Sequence, residues 1–200
     1  MSSYYTIASP AEGFYKEKGS KFISRAYSVR SEEEIKIVQD DLRKEFHDAR
    51  HHCFAWVLGL ENQSWRANDD GEPAHSAGDP ILGQIRSHGL TNILVVVIRY
   101  FGGTKLGVGG LIQAYKQATE DALHKVKKVE IFEWFTLKMN FSYDMMSQAE
   151  RVINDFELNV QNRDFKLSCE IVCLIKKDQI ASFQEKTKDL YNIAFKIEEQ

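Results

Sequence analysis

The spacing of apolar positions changes along the chain, and each period predicts an element. Lys21–Val29 partly alternates and is rich in β-formers, which predicts a strand. Ile35, Val38, Leu42 and Phe46 then recur at helical spacing, behind a capping box formed by Ser31 and Glu34. His52–Leu58 reads as a strand, with Gln63–Ala67 as its hairpin partner. A polar segment marked by Gly and Pro, Asn68–Pro80, precedes a short helix over Ile81–Ser87. The run Ile93–Ile98 is apolar without a break, as expected of a central strand covered on both faces. After it, the loop Gly102–Gly110 leads into a long helix with Leu111, Tyr115, Ala118, Ala122 and Val126 on one side.

The rest of the chain predicts the order β-α-β-β-α-β. A strand near 131–143 precedes a helix carrying Met145, Ala149, Val152, Ile153 and Phe156. Strands near 158–164 and 167–175 follow, then a helix with Ile180, Phe183, Thr187 and Leu190, and a last strand near 192–197. That order is the ferredoxin-like plan. Punctuation separates the two halves. All 12 glycines, all 3 prolines and all 6 histidines precede residue 125. Residues 1–128 hold 17 basic and 16 acidic side chains, and the remainder 9 and 13. The expected division is therefore 1–127 and 128–200, joined near Lys125–Val129.

A chain of 200 residues with 43% hydrophobic and 28% charged residues is globular and ordered in composition. It has no apolar run long enough for a membrane span, and its first residues lack the basic and apolar regions of a signal peptide. The expected location is the cytoplasm. Cys53, Cys169 and Cys173 fit reduced thiols, and no disulfide-linked partner is expected. Residues 169 and 173 of one strand would stand about 13 Å apart, too far to bridge. A net charge of −3 gives no global field for nucleic acid, so any RNA contact needs a local patch.

Three constellations carry chemistry. In the first, Gly102, Gly103, Gly107, Gly109 and Gly110 feed a helix N-terminus, where free backbone N–H groups and the helix dipole attract anions. Arg99 and Lys105 add cations, and the spacing matches neither the P-loop nor GxGxxG. The other reading is that the glycines only let the helix pack closely. Second is the turn Asp69, Asp70, Glu72 and His75, which reads as a hard-cation or acid–base group, or as solvated carboxylates capping local N–H groups. Third is His51-His52-Cys53, where a buried structural cysteine is favoured over a nucleophile. Phe22, Arg25 and Tyr27, near Lys16, Lys18 and Lys21, suggest an RNA stacking strand or ordinary half-buried alternation.

Several runs together resemble the IMPACT family. They are Gly19-Ser20-Lys21-Phe22, His51-His52-Cys53, Asp69-Asp70-Gly71-Glu72-Pro73, Ala77-Gly78 with Pro80, and Leu90-Thr91-Asn92 through Arg99-Tyr100-Phe101-Gly102-Gly103 to Lys105-Leu106-Gly107 and Gly109-Gly110-Leu111. The resemblance covers roughly residues 19–123. It implies an α+β chain whose N-terminal domain has the ribosomal protein S-five domain-2-like fold, a sheet with helices on one face and a left-handed crossover. It also implies a C-terminal ferredoxin-like domain similar to domain V of elongation factor G. Eukaryotic members join the same N-terminal module to a different partner-binding domain and restrain a starvation-response kinase; that further domain is not expected here, so the resemblance does not carry the kinase pathway to this chain. At Ala74-His75-Ser76 the chain departs from the small-residue Ser-Gly-Thr of the family.

Two functions follow from these readings. One is a non-catalytic, translation-associated regulatory module binding RNA, the ribosome or a translation factor, with Lys21, Arg99, Lys105 and the loop glycines meeting phosphates. The other is an enzyme or binder of a small phosphorylated ligand, which needs the acidic turn and the glycine loop to converge. No resident cofactor is expected.

Overall fold

The computed structural model describes residues 3–60 and 64–199, so Gln63 of the expected hairpin lies outside the described residues. One compact unit is Tyr4–Ile131 and a second begins at Phe132. From Ser3 to Phe132 the chain forms β1 (Ser3–Ile7), β2 (Ala11–Glu17), β3 (Ser20–Ser28), α1 (Glu32–Glu45), β4 (His51–Leu58), β5 (Ser64–Asn68), α2 (Gly78–Ser87), β6 (Ile93–Tyr100), α3 (Gly107–His124) and β7 (Lys128–Phe132). Five strands form an antiparallel sheet in the order β2-β3-β6-β4-β5, and β1 pairs with β7. The segment read as a junction is thus partly a strand, with Ala8 N–H donating to the Lys127 carbonyl just before it (2.9 Å).

Strand β6 sits at the centre because every residue from Ile93 to Ile98 is buried. Ile93, Val95 and Val97 share a core with Ile81, Ile85, Leu111 and Tyr115 of α2 and α3. Leu94, Val96 and Ile98 point the other way, onto Ile35 and Leu42 of α1. Helices therefore cover both faces, which corrects the one-face arrangement implied by the resemblance. The uninterrupted apolar run already required it. Ser31 caps α1 by accepting from Glu34 N–H (3.3 Å), and the Glu34 carboxylate reaches back to Arg30 N–H (2.8 Å). Helix α2 begins three residues earlier than expected, since Pro80 falls in its first turn, where proline is tolerated.

From Phe132 on, β8 (Trp134–Phe141), α4 (Met146–Asp155), β9 (Asn159–Phe165), β10 (Cys169–Lys176), α5 (Ile180–Thr187) and β11 (Ile193–Glu199) follow the expected β-α-β-β-α-β order. Their antiparallel sheet runs β11-β8-β10-β9. Alternate residues of β10, Cys169, Ile171, Cys173 and Ile175, are buried beneath Ala149, Val152, Ile153 and Phe183 of the two helices. Both cysteines are free thiols, and burial pushes that of Cys173 up to about 11. The chain is an α+β protein.

Strand β2 escapes a periodicity reading because its buried residue is Gly13. There α3 crosses so closely that a Cβ would stand 2.4 Å from Ala122 N and 2.5 Å from the Ala118 carbonyl oxygen. Both are backbone atoms that cannot step aside. Gly13→Ala should destabilise the first unit by roughly 2–4 kcal/mol, read as a lower midpoint of urea unfolding. An unchanged midpoint would show that α3 is free to withdraw from the sheet.

Candidate functional site

Strand β6 ends at Tyr100, and α3 starts at Gly107 without a side-chain cap from Leu106. Gly103 (φ +87°) and Gly107 (φ +73°) occupy the left-handed region, which a residue with a Cβ rarely adopts. At Gly102 a Cβ would stand 1.9 Å from the Gly19 carbonyl carbon, so this glycine is demanded by a backbone crossing. Gly109 is different. Its φ is not positive and nothing lies within 4 Å of a built Cβ, so close packing does not account for it. Among the described residues, no group accepts from the N–H of Gly107, Val108 or Gly109 outside the helix's own pattern. These amides, at the positive end of an 18-residue helix, are open to an anion. Exposed Lys105 is not ion-paired to any described residue.

Arg99 is placed otherwise than the sequence suggests. Its side chain is 7% exposed, and its Nη1 donates to the equally buried Glu72 carboxylate at 2.6 Å. The same carboxylate oxygen accepts from Tyr115 Oη (2.8 Å), and Arg99 Nη2 reaches Ser20 Oγ (3.4 Å). Cys53 Sγ continues the chain, 3.2 Å from Tyr115 Oη and 2.9 Å from the Asp69 carbonyl oxygen. Burial pushes both the Tyr115 hydroxyl and the Cys53 thiol up, which favours their protonated forms and fits a structural cysteine. Arg99 is therefore a neutralised guanidinium in the wall of the site, not a free cation. Tyr115 was hidden in the sequence as one more member of an apolar helix stripe.

The acidic turn does meet the glycine loop. Glu72 and Pro73 line one cavity of about 340 Å³ with Arg99, Phe101, Lys105 and Val108. The other turn residues serve the backbone. Asp69 accepts from the N–H groups of His75 (2.8 Å), Ala77 (2.9 Å) and Gly78 (2.8 Å), which caps α2. Asp70 accepts from His52 N–H (2.7 Å), and its carbonyl oxygen lies 2.9 Å from His51 Nδ1. His75 points outward to Asp79 (2.6 Å), and its φ of +63° gives a conformational reason for a small residue at that position. Among the described residues, no three His, Cys, Asp or Glu side chains gather to hold a metal ion. The hard-cation reading is corrected because backbone amides and Arg99 occupy these carboxylates.

Register also separates Lys21 from Arg99. Phe22 pairs with Arg99 and Lys21 with Tyr100, so the two cations leave opposite faces of the sheet. Phe22 is fully buried against Tyr115, with ring centroids 5.1 Å apart, and Arg25 pairs with Glu12 and Glu45. The stacking strand is therefore core. The lysines around it remain exposed, and none of Lys16, Lys18 and Lys21 is ion-paired to a described residue. Lys16 and Lys21 lie directly opposite each other across β2 and β3, a like-charge pairing that costs stability. Their connecting turn docks on the glycine loop, where Gly19 abuts Gly102 and Gly102 N–H donates to Ser20 Oγ (3.1 Å). The motif Gly19-Ser20-Lys21-Phe22 was the only signal of this contact.

Together these features define an α+β protein with exposed lysines and a glycine-rich loop that opens a long helix. The family model of the Impact N-terminal domain matches residues 18–123, and the chain belongs to the IMPACT family. It is 32% identical over 194 residues to the IMPACT family member YigZ of Escherichia coli, covering 94% of each chain. Identity to the IMPACT family member YvyE of Bacillus subtilis is 29% over 192 residues, covering 96% of this chain and 88% of that one. A crystal structure described as that of a hypothetical protein matches with TM-score 0.70 at 29% identity, covering 100% of this chain and 98% of the other.

Burial raises the Asp69 carboxyl, but three backbone N–H bonds outweigh it and hold the group below its ordinary value. A depressed folded value stabilises the fold above the unfolded value, near pH 4, and that contribution disappears as pH falls through the folded value. Asp69→Asn should therefore cost about 1–2 kcal/mol at pH 7 in urea unfolding. The gap between wild type and variant should shrink as pH falls toward 2. A gap that stays constant with pH would contradict this role.

Proposed function

We propose that this IMPACT-family chain is a translation-associated regulatory module that binds RNA of the translation apparatus. The binding surface joins the β2–β3 turn to the glycine loop. The observation that supports this is the Gly19–Gly102 contact, which brings the lysine-bearing β2–β3 turn against the glycine loop that opens α3. Phosphates are met by Lys18 and Lys105 and by the N–H groups at the start of α3, in place of the buried Arg99, and by Lys16 and Lys21 from the other face of the sheet, around the β2–β3 turn. Gly103 and Gly107 supply the chain reversal, and Gly109 and Gly110 keep the approach low. The β-α-β-β-α-β order supports a ferredoxin-like second domain, and family membership supports a ribosomal protein S-five domain-2-like first domain. Both folds occur in the translation machinery, an argument by analogy. The ribosome is the natural carrier of such RNA, and a translation factor is the competing partner. A cytoplasmic setting belongs to this reading, and among the described residues no helix is long and apolar enough to cross a membrane.

A second reading, a small phosphorylated ligand, is favoured by the cavity shared by the acidic turn and the loop.

Filter binding of the full chain to ribosomal RNA at several salt concentrations tests the first reading. Four contacted phosphates predict a log–log salt slope of about −3. Replacing Lys16, Lys18, Lys21 and Lys105 together by alanine should flatten that slope and weaken binding at low salt by tenfold or more. Equal binding by the variant, or affinity indifferent to salt, removes the proposal.

A further inference from the structure

We infer that the cavity beside the glycine loop is a site for a single nucleotide unit, with its phosphate on the first amides of α3 and its base against Phe101. The inference rests on the reading above that this loop accepts phosphate, and it adds the rest of the ligand. Three observations beyond the helix terminus point to it.

The first is the cavity itself, about 340 Å³, whose wall includes Pro73, Phe101, Leu106 and Val108. That size lies at the low end for ligand sites and suits a nucleoside rather than a dinucleotide. The second is exposure. Phe101 is 56% and Val108 51% exposed, two large apolar side chains at the rim of one recess. The Arg99 guanidinium carbon lies 5.6 Å from the Phe101 ring centroid. An exposed aromatic ring of this kind is a platform for a base, since every base has a π-face.

The third is a stranded donor. The Arg99 side chain is more than nine-tenths buried and lines the cavity, and its Nε–H has no acceptor although both Nη atoms do. Buried donors are almost always satisfied, so one left over just behind the cavity wall is met when Arg99 turns it toward a ligand acceptor. A base carries such acceptors at ring nitrogens and carbonyl oxygens. Charge agrees with this placement. Glu72, the only carboxylate among the described residues lining the cavity, is neutralised by Arg99, while Lys105 stands free beside the open amides.

Such a unit comes from a free nucleotide or from an exposed nucleotide of RNA. Calorimetric titration of the full chain with inorganic phosphate, each of the four ribonucleoside 5′-monophosphates and a 5′-phosphorylated single-stranded RNA pentamer separates these. At least one monophosphate or the pentamer should bind tenfold or more tightly than inorganic phosphate. Phe101→Ser, a change at an exposed position, should remove that advantage and leave phosphate binding and the unfolding midpoint unchanged. Lys105→Ala should weaken phosphate and nucleotide alike by about threefold to tenfold. Tighter binding of the pentamer assigns the site to RNA, and tighter binding of a monophosphate assigns it to free nucleotide; either supports the inference. Equal affinity for phosphate and every nucleotide ligand, or no effect of Phe101→Ser, overturns the nucleotide site while the phosphate-accepting loop survives. If neither phosphate nor any nucleotide ligand responds to Lys105→Ala, both readings fall.

Discussion

The buried ion pair between Arg99 and Glu72 organises the first unit. It links the end of the central strand to the acidic turn, and Tyr115 ties the same carboxylate to α3. Taking two charges out of water is expensive, and their attraction offsets that cost only when the remaining hydrogen-bonding capacity is used. Here Tyr115 and Ser20 use most of it. Such a pair is a poor measure of net stability. Losing one member, however, leaves a buried charge uncompensated, so the turn and the loop are held in one arrangement.

This pairing redistributes roles among residues that look alike in the sequence. Arg99 and Lys105 both read as cations near a glycine loop, yet only Lys105 stays available to an anion. Asp69, Asp70 and Glu72 read as three equivalent carboxylates. In the fold, one caps a helix, one holds the start of β4, and one neutralises an arginine. The loop glycines divide in the same way. Gly102 is required by the backbone of Gly19, Gly103 and Gly107 by their dihedral angles, and Gly109 by neither.

What remains exposed after these internal partnerships is what the proposed ligand would meet. The β2–β3 turn supplies lysines, α3 supplies amides, and Phe101 and Val108 supply apolar surface. The turn and the glycine loop lie far apart in sequence and come into contact because Gly19 and Gly102 have no side chains to separate them. The Nε–H of Arg99, a residue of that recess, is a buried side-chain donor left without an acceptor among the described residues.

By itself the sequence determined the element types wherever periodicity was strong: α1 with its Ser31 cap, the buried β6, and the alternating β10 with both cysteines inward. These are local properties, set by which neighbours along one element share a face. Short strands such as β1, β2 and β7 were invisible, because their pairing partners lie far away and Gly13 breaks the alternation. The glycine loop was legible as a turn feeding a helix N-terminus, and the acidic turn as a cluster of carboxylates. Which charges would cancel was not, since a side chain's availability depends on the partner that folding brings to it. Only the tertiary structure paired Arg99 with Glu72, put Lys21 on the opposite face, and buried Phe22. The physical reason is that desolvation forces buried charges to find partners, and those partners are chosen across the sheet rather than along the chain.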